Sequence, residues 1–130
     1  MTLEQLIQLA CDLADDQLPD DEVKEYVNDA IAAINIEAGA NFPFLVGMED
    51  EPAFPEKWQR MLIVPFAKAR IKEKDSSQFE WEVAYEQFYE NMDLFKTTYT
   101  IPEEFLDENS RNKKGLNIVT SGPPFIWGGW

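Results

Sequence analysis

The chain has 130 residues, a formal net charge of −14, one cysteine and no histidine. That length fits a single domain with a genuine apolar core and leaves little room for a second. The missing histidine takes away the commonest general base near neutral pH and the commonest transition-metal ligand, so hydrolase triads and histidine zinc sites are excluded. The acidic balance argues against nonspecific grip on nucleic acid as the main activity, because such grip comes from Lys and Arg neutralising phosphates.

Thr2 precedes an apolar stripe of Leu3, Leu6, Ile7, Ala10, Leu13 and Ala14, and Thr2 with Gln5 has the spacing of a capping box, which predicts a helix over 2–15. This opening is not a basic region followed by an apolar one, and no stretch approaches the roughly 20 apolar residues of a membrane span. The chain is therefore expected to be soluble and to remain inside the cell that makes it. Cys11 has no second cysteine to pair with and sits in the apolar repeat, so it reads as a reduced thiol in or near the core. Acids and Pro19 interrupt over 15–21. Val23, Tyr26, Val27, Ala30, Ile31 and Ile34 then restore the helical period until Gly39, predicting a helix over 20–38.

Residues 40–55 hold prolines, Gly47 and an acidic run interleaved with Phe42, Phe44, Leu45, Val46 and Phe54. Such a mixture predicts an irregular but ordered loop pinned by its apolar side chains. Trp58, Met61, Leu62, Phe66 and Ala69 mark the next helix, in which Pro65 removes a backbone donor and is expected to kink it or split it into 55–63 and 65–74. Ser77 and Glu80 again have capping-box spacing, and Trp81, Ala84, Tyr85, Phe88, Met92 and Phe95 predict a helix over 77–97. The short connection allows only an antiparallel hairpin or a sharp corner between these two. A turn at 103–106 follows, then a polar stretch, a segment at 116–120 able to extend or pair as a strand, and the ending SGPPFIWGGW.

Chemistry-bearing patterns are weak. Asp15, Asp16, Asp20 and Asp21 lack EF-hand spacing and its central glycine, so they read as a solvated turn with helix caps before they read as a cation site. Glu80, Glu82, Glu86, Glu90 and Asp93 follow the polar side of the last long helix, and periodicity alone accounts for them. No glycine-rich phosphate loop is present. No catalytic, cofactor-binding or metal-binding residues are assigned, and the chain is not expected to be an enzyme.

Charge is unevenly distributed: 1–56 hold one lysine against fourteen acids, whereas 57–74 hold six basic residues against Glu73 alone. Ion pairing within the chain or between subunits is the plain account of that basic segment, and a DNA-facing role the sharper one. The ending is the feature that a self-contained domain explains least. Phe125, Ile126, Trp127 and Trp130 have no element around them, and large aromatic side chains are what interfaces use as anchors in partner pockets.

The run from Trp58 to Met92, WQRMLIVPFAKARIKEKDSSQFEWEVAYEQFYENM, resembles the head-tail connector proteins of tailed bacteriophages, also called adaptor or head-completion proteins. The likeness rests on Trp58, Pro65, Phe66, Ala67, Lys68, Ala69, Arg70, Ser76, Ser77, Phe79 and Tyr85. The upstream segment with Tyr26, Val27, Ala30, Ile31, Ile34 and NFPF at 41–44 is compatible, so most of 20–106 is covered. The resemblance implies a ring, usually a dodecamer, seated beneath the portal protein in the virion and joined to a stopper or tail-completion protein. Double-stranded DNA would pass through its lumen without being read, and an acidic wall suits that passage. It implies further that the arm reaches the portal, and that Arg60, Lys68, Arg70 and Lys72 meet acidic faces of neighbouring copies.

The resulting expectation is an all-α fold: a bundle of four main helices spanning 1–106, with the irregular aromatic loop, and an extended C-terminal arm over 107–130. The expected role is structural, at the head-tail interface, with no cofactor and no membrane. Two rivals stand beside it. A small acidic regulatory or DNA-mimicking protein would use its carboxylates to occupy a basic partner surface. A carboxylate-bridged metal enzyme would need inward Glu residues and Glu-x-x-His pairs, which the chain lacks.

Overall fold

The computed structural model describes residues 1–74 and 78–110. Within them the chain is all-α, in the order α1 (Leu3–Ala14), α2 (Asp20–Ala38), α3 (Glu56–Trp58), a π turn (Gln59–Ile63), α4 (Val64–Lys74), α5 (Gln78–Thr98) and a closing 3-10 turn (Glu103–Phe105). The four-helix expectation holds when α3, the π turn and α4 are counted as the one rod they form. Phe125, Ile126, Trp127 and Trp130, the possible strand at 116–120 and the Ser77 cap lie outside the described residues.

The start of α1 is closed on every donor. Thr2 Oγ1 accepts from the Gln5 amide at 3.2 Å while Gln5 Oε1 accepts from the Thr2 amide at 2.9 Å. Leu3 and Glu4 donate their amides to the Asp50 and Met48 carbonyls at 2.8 and 3.1 Å, so the 46–50 turn finishes the cap from across the fold. One position of the expected stripe is corrected: Leu13 is 53% exposed and Cys11 is buried instead. The buried set Leu3, Leu6, Ile7, Ala10, Cys11, Ala14 keeps a strict three-or-four spacing that Leu13 breaks.

Helix α2 begins with Asp20, Asp21 and Glu22 in its first turn, where carboxylates meet the positive end of the helix, and stops at Gly39 with φ 63°. The left-handed φ favours glycine at position 39, and a Cβ there would also make the Ser110 hydroxyl shift. The loop after it is clamped along α2 by two asparagines two turns apart. Asn35 donates to the Phe42 carbonyl at 3.1 Å and accepts from the Phe42 amide at 2.8 Å. Asn28 does the same with Leu45, both bonds at 2.9 Å. Each side chain thus satisfies a whole peptide edge, as a neighbouring strand would. Phe42 and Phe54 then join Phe95, Trp58 and Phe105 in one aromatic cluster, with ring centroids 4.9 to 6.1 Å apart along its edges.

Pro65 neither splits nor ends the central helix. The backbone passes through the π turn, in which the Val64 amide donates to the Gln59 carbonyl, and α4 continues without a gap. The carbonyl of Met61, four residues before the proline and deprived of its donor, accepts instead from Asn91 Nδ2 at 2.9 Å. Along α4, Val64, Pro65, Phe66, Ala67, Ala69 and Ile71 are all buried. The helix packs against α1, α2 and α5 together and is the axis of the fold. Helix α5 runs antiparallel to it: Lys72 Nζ reaches Glu80 at 2.9 Å near the connection, Phe66 meets Phe88 at 5.1 Å midway, and Trp58 meets Phe95 at 5.2 Å at the far end. Beyond α5 the chain returns to the end of α2, where the Asn41 amide donates to the Phe105 carbonyl at 2.6 Å and the Asp107 amide to the Gly39 carbonyl at 3.0 Å.

Lys74 and Tyr26 both bond the Glu22 carboxylate and tie α4 to α2. Lys74 first, then the Tyr26 hydroxyl, hold Glu22 below the usual glutamate range. A lowered folded value means that this contact stabilises fully above the unfolded glutamate range, about pH 4.3, and is lost as pH falls through the lowered value. Glu22→Gln is expected to flatten the acid limb of stability against pH, seen as a smaller drop in Tm between neutral and acid buffer. Asn91→Leu, which leaves the Met61 carbonyl without its donor, should lower the unfolding free energy by about 1–3 kcal/mol, measured as a reduced urea midpoint at unchanged slope.

Candidate interaction surface flanking helix α5

Helix α5 turns Ala84, Phe88, Met92 and Phe95 to the core and Glu82, Glu86, Glu90 and Asp93 outward as an acidic ridge. Apolar groups remain on both flanks of that ridge. Val83 and Tyr89 are six residues apart and so lie about 120° from one another around the helix axis. The molecule therefore presents two separate edges, one facing α2 and one facing the end of α1.

The α2 edge is recessed. Ala32, Ala33 and Ile36 from α2, Phe66 and Arg70 from α4, and Tyr85 and Tyr89 from α5 line an open groove of about 540 Å³, with Asp29 at its rim. Ile36 is 80% exposed and Tyr89 50%. Tyr85 is fixed by donating its hydroxyl to Glu73, and burial followed by that bond raises the phenol, so it remains a donor at neutral pH. The Arg70 guanidinium lies 5.1 Å from the Phe66 ring centroid, and its Nη1 is 4.0 Å from Glu73. Its Nε is buried and has no hydrogen-bond partner among the described residues.

The α1 edge is formed by Leu13 and Asp15 at the end of α1, Lys68 and Lys72 of α4, and Phe79, Glu80 and Val83 of α5, around a smaller hollow of about 370 Å³. Phe79 is 77% exposed. The out-of-phase apolar residues are what build both edges. Ile36 falls off the stripe of Val23, Val27, Ala30, Ile31 and Ile34, as Phe79 and Val83 fall off that of Ala84, Phe88, Met92 and Phe95, and this phase error was the sequence signal available for finding them.

The four basic residues singled out in the sequence divide. Arg60 bonds Glu56 one turn back at 2.9 Å and Lys72 bonds Glu80, both within the chain. Arg70 lines the recessed edge, and Lys68 lines the other with no carboxylate within salt-bridge distance among the described residues. Lys57, outside that set, lies over the Trp58 ring at 5.0 Å. No three Cys, Asp or Glu side chains among the described residues converge as a metal site. Cys11 is buried. No described helix is long and apolar enough to cross a membrane. No family model matches the chain, and neither a curated protein nor a solved structure does.

Adjacent positions on α5 separate surface from core. Tyr89→Ser should cost about 0.5–1.5 kcal/mol through loss of its edge-on contact with Phe88, whereas Phe88→Ala next to it should cost about 3–5 kcal/mol, compared by thermal or urea unfolding of the two variants.

Proposed function

We propose that the chain is a structural, non-catalytic subunit of a tailed-phage head-tail connector, an adaptor whose copies form a ring between portal and stopper or tail. The observation that carries this reading is the pair of apolar edges on either side of α5. A ring subunit needs one surface for each neighbour, and exposed apolar side chains on two sides of α5, Ile36 and Tyr89 on one and Leu13, Phe79 and Val83 on the other, would serve that need. The resemblance of 58–92 to connector proteins points to the same use, and so does an aromatic ending with the composition of a docking anchor. The acidic ridge supports a place beside a DNA channel, since carboxylates repel phosphate and let the duplex slide.

One observation favours a second reading. Glu82, Glu86, Glu90 and Asp93 form a regular exposed line of carboxylates, as a protein that occupies a basic nucleic-acid site would present. Such a binder acts as a monomer or dimer, and its affinity falls steeply with salt. The connector reading requires the full chain to join a portal ring in multiple copies, visible as a discrete increase in particle mass. Removal of 121–130 is expected to leave the helical domain folded, yet unable to join that assembly. Undiminished joining by the shortened chain would remove the arm from the account.

A further inference from the structure

We propose that in the free chain the groove between α2 and α5 is occupied by the chain's own ending, with Phe125, Ile126 and Trp127 seated against Ile36, Tyr85 and Tyr89. The contact does not depend on the connector reading. Under that reading, a portal that takes the ending also uncovers the α2 edge for a neighbouring copy, so free subunits do not pair before they reach their site.

The place where the described chain stops selects the occupant. Asp29, Ala32, Ala33 and Ile36 hold the groove side of α2 at three-and-four spacing, and Gly39 ends that row. Ser110, the last described residue, lies against Gly39: its hydroxyl fills the space that a Cβ there would take. The Asp107 amide holds this return segment to the Gly39 carbonyl at 3.0 Å, and Asp107 Oδ1 accepts from the Ser110 amide at 2.6 Å. The chain therefore leaves at the mouth of the groove, about 4.5 Å along the helix from Ile36. Phe125 follows Ser110 by fifteen residues, which span up to roughly 50 Å when extended, whereas Asp29 to Ile36 covers about 10 Å of helix. The connection is long enough to lay the ending along the whole groove.

Charge points to the same segment. Residues 111–130 carry Arg111, Lys113 and Lys114 and no acid, so of the net −14 this segment contributes +3 and residues 1–110 the remaining −17. Asp29 stands at one rim of the groove, and the hollow that shares Tyr85 and Tyr89 with it carries Glu82, Glu86, Glu90 and Asp93. A basic stretch followed by apolar side chains matches an apolar groove between acidic rims, whereas the body of a second copy brings like charge to it. Tethering favours the chain's own ending over another copy's, because a short connection presents it at an effective concentration on the order of millimolar.

Methyl NMR of the full chain tests the contact. Aromatic rings in the groove displace the Ile36, Ala32 and Ala33 methyl signals, and joint replacement Phe125→Ser, Trp127→Ser and Trp130→Ser should return them. The Leu13 and Val83 signals, on the other side of α5, should not move. The displacement should be the same at every protein concentration, and Arg111→Glu, Lys113→Glu and Lys114→Glu together should reduce it. Ile36→Asp, at a position 80% exposed, should abolish it at Ala32 and Ala33 while leaving the far-ultraviolet circular dichroism unchanged. Groove methyls indifferent to the ending's substitutions overturn the proposal. So does a displacement that grows with protein concentration, which assigns the groove to another copy, or one confined to Leu13 and Val83. Portal joining keeps the two ideas apart: groove displacement in a chain that never joins a portal sinks the connector reading alone, and portal joining without groove displacement sinks the groove contact alone.

Discussion

The fold depends on how one helix solves the problem of a missing proton. Helix α4 is buried along Val64, Pro65, Phe66, Ala67, Ala69 and Ile71 and is the surface on which α1, α2 and α5 all pack. Proline in that position takes a donor from the backbone and crowds the preceding turn, which ordinarily costs a helix about 3 kcal/mol. The π turn widens the helix just before Pro65, and Asn91 supplies the donor that the ring cannot give. Because that donor comes from α5, the same bond fixes where α5 sits along the axis. With Asn91 at Met61, Phe88 and Phe95 fall opposite Phe66 and Trp58, and Tyr89 and Val83 are turned out to the flanks. The exposed edges are thus set by the same bond that completes the core.

What could be read from the sequence was whatever depends on neighbours within a few residues. The bounds of α1 and α2 follow from Thr2, Gln5 and Gly39, whose capping chemistry is local, and the stripe of α5 follows from its period. The fate of Pro65 was not legible, because the group that rescues its turn lies on another helix. For the same reason the clamps of Asn28 and Asn35 on the loop carried no sequence signal: polar residues in a polar stretch look like solvated surface, and only the approach of Leu45 and Phe42 turns them into peptide partners. Leu13 shows the converse error. It extends an apolar run, but a helix distinguishes positions by angle and not by composition, and Cys11 holds the inward angle. The candidate surface was half legible: Lys68 and Arg70 stood out by charge, whereas Ile36, Phe79 and Val83 acquire meaning only once the buried stripes are known.

The basic segment at 57–74 does less for the outer surface than its composition suggests. Arg60 folds back on Glu56, Lys72 on Glu80 and Lys74 on Glu22, and pairs of this kind at a surface each contribute little stability. A chain of net charge −14 repels its own copies beyond contact, over a range of roughly 8 Å at physiological ionic strength. Copies of such a chain could meet only through short-range terms, apolar burial and directly opposed ions.

The position of the ridge follows from the same geometry. Glu82, Glu86, Glu90 and Asp93 lie between Val83 and Tyr89 around α5 and share a surface hollow with Trp81, Tyr85 and Tyr89. In a ring such as the one proposed, the line of carboxylates on each copy would recur about one axis, so that repetition would concentrate charge that one copy presents singly. An acidic helix thus acts as ordinary solvated surface on one copy, and as a wall that excludes polyanions only where copies repeat it.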